Sequence, residues 1–196
     1  MKKGMVVFLV ILGVLGVAAM AFSGIYNGLV RFDERVTQAW AQVENVYQRR
    51  LDLIPNLVET VKGYAAHEKS TFVEVTEARA KAAHAPSPGI VNDPEKFRQF
   101  QESQTALSSA LSQLMVVVEK YPDLKANENF LALQAQLEGT ENRIAVERSR
   151  FNEVAQAFNT LLRQFPTNIV GKMFGFKLKE YFKAEAQASV APKVKF

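Results

Sequence analysis

The chain contains no cysteine. That excludes a disulfide framework, a thiolate nucleophile, a cysteine-bound metal and a lipid anchor attached to a cysteine behind a leader. Histidine is nearly as scarce, with only His67 and His84. His67-Glu68 invites a zinc reading, but the position four residues on is Thr71, and His84 sits beside a proline loop. No Glu-x-x-His pair exists, so a di-iron site of the bundle type has no ligands, and the histidines read as surface or packing residues. Strand-like alternation of apolar and polar residues is missing. Lys172 follows Gly171 without a phosphate-binding loop in front of it, and no serine and histidine approach a triad pattern. The body also lacks a basic stripe. Net charge is +4, yet six lysines and two glutamates follow from Lys172 onward, and Lys2 and Lys3 add to the other end, so the remainder is slightly acidic. A nucleic-acid binder would carry its positive charge on the folded part.

One long run does lack charge altogether. From Gly4 to Val30 there is no ionisable side chain except the phenol of Tyr26, and ~20 apolar residues suffice to cross a bilayer. The competing reading is a cleaved leader, with Lys2-Lys3 as its basic start and Ala19-Met20-Ala21 as a cleavage site. Retention is favoured because the run is long and the helical pattern resumes at once with Tyr26 and Leu29. Lys2, Lys3 and the terminal amine outweigh Arg31 and Arg35 on the far side, which puts the amino terminus in the cytoplasm and the body outside.

Beyond the run, about 170 residues remain, enough for one domain with one core. Hydrophobic residues make up 48% and charged residues 22%, so the body is neither disordered nor wholly membrane-buried. His84-Ala85-Pro86-Ser87-Pro88-Gly89 reads as a loop. Asp93-Pro94 opens a helix with a cap and a proline at its first position, and Tyr121-Pro122-Asp123 closes it. Asn127 caps the next helix, which Phe165-Pro166 ends. Phe97, Phe100, Gln104, Leu107, Leu111, Leu114, Val118 and Tyr121 alternate steps of three and four. So do Phe130, Leu133, Leu137, Thr140, Ile144, Glu147, Phe151, Val154, Phe158, Leu161 and Phe165. That is the repeat of left-handed coiled-coil packing. In the first helix Leu29, Phe32, Val36, Ala39, Val43, Val46, Arg50, Leu53 and Leu57 form one stripe. After Pro55 the better stripe is Leu57, Val61, Tyr64, Glu68, Phe72 and Val75. Pro55 either kinks one helix of about 60 residues or turns a corner. The kink is preferred, because Asp52 to Leu57 holds no glycine. Such a helix would be ~90 Å long, more than its partners cover.

Several stretches together resemble the LemA family: Tyr26-Asn27-Gly28-Leu29-Val30, Ala39-Trp40-Ala41-Gln42-Val43, and Gln48-Arg49-Arg50-Leu51-Asp52-Leu53-Ile54-Pro55-Asn56-Leu57-Val58. Val61-Lys62-Gly63-Tyr64 with His67-Glu68, Leu137-Glu138-Gly139-Thr140-Glu141-Asn142-Arg143-Ile144, and the end from Phe174-Gly175-Phe176 through Tyr181-Phe182 to Ala191-Pro192-Lys193-Val194 complete the match. The resemblance implies a short N-terminal anchor, a four-helix bundle and no catalytic residues. One branch of that family is linked to forming magnetosome membranes, which suggests membrane shaping by analogy.

The expected fold is therefore all-α: a transmembrane helix, then an elongated antiparallel four-helix bundle with coiled-coil-like packing. Residues 1–25 are the stub and anchor, 26–168 the bundle and 169–196 a basic, aromatic tail. Three groups of residues carry the functional expectations. Arg50, Glu147, Thr140 and Gln104 fall on apolar stripes, so they form a register-setting polar layer, a partner patch or a solvated face; a charge on a core stripe needs a partner. Val36, Trp40, Val43 and Val46 lie on the part of the first helix that intrachain partners would leave bare, and are expected to join copies into a homo-oligomer. Lys172, Phe174, Phe176, Lys179, Tyr181, Phe182 and Lys183 either dock on the bundle as its last helix or lie on anionic lipid. No cofactor, catalytic residue, small-molecule substrate or nucleic acid is expected. The partners are the lipid bilayer and further copies of the chain. The functional expectation is a membrane-anchored bundle that organises or shapes the membrane of the bacterial envelope. It would sit in the inner membrane as a single-pass protein with an extracytoplasmic body. The alternative is an interaction module for another membrane protein in envelope stress or signalling.

Overall fold

The computed structural model describes residues 2–84 and 89–183. These are all-α with no strand among them: α1 (Lys2–Lys62), α2 (Lys69–Ala83), a 3-10 turn (Ile90–Asn92), α3 (Pro94–Val118), α4 (Pro122–Lys125), α5 (Glu128–Arg163) and α6 (Thr167–Met173). Helix α1 is long and apolar enough at its N-terminal end to cross a membrane. Its first apolar turns are exposed, from Met5 to Met20. From Leu29 onward the same helix enters the bundle, packing along α5 while α2 packs on α3.

Local chemistry starts and stops these helices where the sequence says. Asp93 Oδ1 accepts from the Glu95 and Lys96 amides at 3.1 and 3.2 Å, and Asn127 Oδ1 accepts from the Phe130 amide at 3.0 Å. Both satisfy amides that the first helical turn leaves free. Pro55 lies inside α1 and does not end it. A proline lacks the N–H that would reach the carbonyl four residues back, here Leu51. Arg79 of α2 supplies the replacement, donating from Nε to the Leu51 oxygen at 2.8 Å.

The corner falls eight residues later, at Gly63. Val61 O there accepts from both Tyr64 and Ala65 amides, at 3.0 and 2.9 Å, and Asn127 Nδ2 donates to the Tyr64 hydroxyl at 3.0 Å. This corrects the expected helix of about 60 residues beyond the membrane. The extramembrane part of α1, from Tyr26 to Lys62, is ~55 Å long, and the 36 residues of α5 span ~54 Å. α5 therefore nearly matches it in length.

Two core clusters fill the bundle. The distal one gathers Ile54, Leu57, Val61, Phe72, Val75, Leu107, Leu114, Leu124 and Phe130. The membrane-proximal one gathers Leu29, Val36, Trp40, Val43, Phe97, Phe100, Phe151, Phe158 and Phe182. Helix α2 contributes only to the distal cluster, because it has 15 residues. The fourth position beside α1, α3 and α5 near the membrane is filled instead by residues 176–183, which carry no regular secondary structure.

Candidate functional site

The site begins with the stripe expected to join copies. Val36, Trp40 and Val43 are buried within the chain, and Val46 is half-buried against the same cluster. The Trp40 ring lies 5.9 Å from Phe97, 5.3 Å from Phe100, 5.5 Å from Phe151 and 6.0 Å from Phe182, centroid to centroid. The expectation of a bare band is overturned, because the corner at Gly63 shortens α1 to the length that α5 and the tail cover. The seam also differs from the one drawn by spacing. Trp40, Tyr47, Ile54 and Val61 alternate with Val36, Val43, Arg50 and Leu57 as buried positions, whereas Ala39, Val46 and Leu53 are half-exposed. On α5 the buried face moves from Ile144 and Phe151 to Ala155, Phe158, Asn159 and Leu162. A helix of 3.6 residues per turn drifts ~20° per heptad against a 3.5 repeat. Phe165 leaves the stripe altogether, because α5 ends at Arg163 and Gln164 is extended, and it is 80% exposed.

Of the four residues expected in a polar layer, Arg50 is the one whose side chain bonds across helices, and its contact with Gln104 is to the backbone. Arg50 is 2% exposed, and Gln104 and Thr140 are buried with it. Arg50 donates to the Gln104 carbonyl at 3.2 Å and to Ser108 Oγ at 2.9 Å, and pairs with Glu141 at 3.1 Å. Glu147 does not take part: it pairs with Arg150 at 2.8 Å on its own helix. Thr140 back-bonds to the Gln136 carbonyl at 2.7 Å. Glu141 and Ser108 escaped notice because they flank the stripes, and a long arginine reaches one position to the side. Above Arg50 opens a cleft of about 530 Å³, walled by Arg98, Glu102, Thr105, Ser108, Glu141 and Arg148. On its rim, hydrogen bonds from Arg98 and Gln99 hold the Glu95 carboxyl below its ordinary range. The histidines lie elsewhere. His67 is exposed in the corner, and His84 Nδ1 lies 2.7 Å from the Ala80 carbonyl. Among the described residues no three metal-ligating side chains converge.

The tail docks on the bundle, but not as a helix. α6 ends at Met173, and Gly175 has φ +73°, a left-handed conformation that suits glycine. The chain then runs extended along α5. Phe176 meets Tyr26 at 6.1 Å and Phe158 at 6.3 Å. Lys179 is buried, pairs with Asp33, donates to Asn92 Oδ1 at 2.6 Å and stands over the Phe158 ring at 4.8 Å. Phe182 is buried beside Trp40, with Arg148 over its ring at 4.7 Å. The Tyr181 hydroxyl accepts from Asn159 at 2.7 Å. Lys172, Phe174 and Lys183 stay exposed. The seven expected contact residues thus divide into a docked set and a free set, and the rest of the tail, residues 184–196, lies outside the described residues. The division expected at residue 168 does not coincide with a structural break, since residues 169–183 complete the bundle.

Lys183 lies at the cleft over Arg50, whereas Lys172 and Phe174 belong to a base. Phe174 lies 5.9 Å from Phe22 and 4.6 Å from Tyr26, ring to ring, at the end of the uncharged run. Phe165, just before α6, and Ile169 and Met173 on it are exposed, as are Lys172 and Lys177. Chemically, this assembly offers surfaces and a polar cleft.

Comparison with known proteins finds relatives over almost the whole chain. Magnetosome protein MamQ 2 of Paramagnetospirillum magneticum is 27% identical, over 92% of this chain and 73% of the relative. Magnetosome protein MamQ of Magnetospirillum gryphiswaldense is 26% identical, over 93% and 74%. Protein LemA of Metamycoplasma hominis is 26% identical, over 92% and 77%. The sequence model of the LemA family matches residues 39–196, which takes in the Trp40 cage, the Arg50 layer, all of α2 to α6 and the docked tail. A membrane-associated helical protein with this match belongs to the LemA family.

Proposed function

We propose that this is a non-enzymatic, single-pass protein of the bacterial inner membrane, with its body outside the cytoplasm, that self-associates and so organises or shapes that membrane. The observation that carries the reading is the base. Phe174 against Phe22 and Tyr26 sets the end of α6 at the level where α1 leaves its apolar run, and Phe165, Ile169 and Met173, just before and on that short helix, are exposed. Apolar side chains with flanking lysines at that height suit insertion between the headgroups of an anionic leaflet. Insertion on one side of the span widens one leaflet relative to the other. Because α1 continues unbroken from the apolar run into the core, a tilt of the bundle is passed to the span. The magnetosome names of two relatives point the same way.

The chain has no cysteine, so nitroxide labels at Ile169→Cys and Met173→Cys in anionic vesicles report depth directly. Labels shielded from aqueous nickel and open to oxygen, together with deformed vesicles and multimers by photobleaching, are expected. Water-exposed labels on undeformed vesicles holding monomers would sink the reading. A second reading, a module that binds another membrane protein, is favoured by the cleft over Arg50. It predicts a small complex of fixed stoichiometry with a partner in place of assemblies of the purified chain.

A further inference from the structure

Asn152 and Asn159 lie two turns apart on one face of α5, and each amide reads a backbone. Asn159 donates to the Lys179 carbonyl at 2.9 Å and accepts from the Lys179 N–H at 2.8 Å. Asn152 donates to the Phe182 carbonyl and accepts from the Phe182 N–H, both at 2.9 Å. Seven residues of helix rise ~10.5 Å, and three residues of extended chain cover ~10 Å. The two asparagines are therefore in register with positions 179 and 182 of a segment running antiparallel to α5. Side chains at the same spacing fill three pockets: Phe176 at Tyr26 and Phe158, Lys179 at Asp33 and Asn92, and Phe182 in the Trp40 cage. This is a receptor groove for an extended Phe-x-x-Lys-x-x-Phe segment.

The occupant is separable from its seat. Among the described residues, segment 176–183 makes one backbone–backbone hydrogen bond to the bundle before α6, from Glu180 N to the Val91 carbonyl at 3.1 Å. Its attachment point, Gly175, has open space around it, whereas at Gly171 an added Cβ would come within 2.2 Å of Leu162 Cδ1. α6 is thus seated closely, and the joint lies just after it.

We propose that the groove takes the 176–183 segment of a second copy in exchange for its own, so that neighbouring copies are linked by reciprocal tails. This rests on the self-association stated above and supplies its contact. A vacated groove exposes the Trp40 cage, and every copy carries a segment that matches it in backbone register and in all three pockets. Exchange preserves the Asn152, Asn159, Lys179 and Phe182 contacts and remakes the joint, where the Phe176 N–H is bonded to the Gly171 carbonyl at 3.0 Å, which makes it a low-cost route to association. Tethering in one membrane plane holds each neighbour's segment at the height of the groove and raises its effective concentration.

The absence of cysteine makes the test clean. Gln101 Oε1 lies 3.5 Å from the Lys183 amide, so full-length chains bearing Gln101→Cys or Lys183→Cys, with different affinity tags, are co-reconstituted in vesicles and treated with a short bis-maleimide. The expected product is a mixed-tag dimer at twice the 21.9 kDa chain mass. A synthetic peptide of residues 175–183 should suppress it. Lengthening the joint by four glycines after Gly175 in both chains should reduce it several-fold, since a longer joint lets each tail return to its own groove. Circular dichroism verifies folding, and the peptide arm stands if that variant does not fold. No mixed dimer, while a chain carrying both cysteines closes on itself, would show that the tail stays home and would overturn the proposal. So would a mixed dimer indifferent to both the peptide and the longer joint. Photobleaching in the same vesicles separates the two ideas: multimers without mixed cross-links sink tail exchange alone, and monomers throughout sink self-association as well.

Discussion

Arg79 Nε on α2 donates to the Leu51 carbonyl on α1 at 2.8 Å, and Leu51 is the acceptor that Pro55 leaves without a helical partner. A half-buried carbonyl stripped of its donor costs about 1–3 kcal/mol. Arg79→Ala should lower stability by that amount in urea unfolding. In a Pro55→Ala background the new Ala N–H can reach Leu51, so the same Arg79→Ala change should cost less than half as much. Equal costs in both backgrounds would show that Arg79 does not compensate for the proline.

Aspartate at Val36 and Val43 should unfold the membrane-proximal half, because both positions are fully buried within one chain. Burying an unpaired carboxylate is far costlier than the few kcal/mol a domain has to spare. Loss of near-ultraviolet dichroism and rapid proteolysis are expected. A folded variant that merely leaves its oligomers would return these valines to an interchain interface. Leu111→Ala and Ile144→Ala, in the same packed interior, should each cost about 2–5 kcal/mol.

The Arg50 layer should respond unequally to its partners. Glu141 keeps 43% of its side chain exposed, so Glu141→Gln should cost about 1 kcal/mol or less and the loss should shrink in salt. Arg50→Met keeps the volume and removes the buried charge, and should stay within about 1 kcal/mol of the parent. Arg50→Ala leaves a void and should cost about 2–4 kcal/mol. If Arg50→Met is as damaging as Arg50→Ala, the hydrogen bonds outweigh the packing.

Gly171→Ala should cost about 1–3 kcal/mol by overpacking, because the added Cβ would meet Leu162 Cδ1 at 2.2 Å. In a Leu162→Ala background the same change should cost almost nothing. A full cost there would place the strain in the α6 backbone instead.

The ends of helices were legible because the chemistry that sets them is local. Asp93 caps amides two and three residues away, and Asn127 caps one three residues away. The apolar spacing of α3 was legible for the same reason, since one face of one helix carries its own record. Gly63 carries no legible corner signal because its neighbours continue the stripe, so periodicity runs through the turn. The seam on α1 was drawn on the wrong flank for a related reason. Both flanks are apolar, and only the placement of α5 and the tail selects Trp40 and Tyr47 over Ala39 and Val46.

By itself the sequence determined an uncharged membrane-length run, a helical body, its principal caps and a chain without thiols. Tertiary structure alone decided which glutamate meets Arg50, since Glu141 lies 91 residues away and differs from Glu147 by ~9 Å along α5 and by its place around the helix. It also decided that Phe176, Lys179 and Phe182 face the core from an extended strand of chain. Steps of three suit a helical face and an extended clamp alike, and the choice was made by two asparagines on α5, far away in sequence. Local interactions are written in neighbouring residues, whereas these pairings exist only once distant segments have been brought together and their backbone groups must be satisfied.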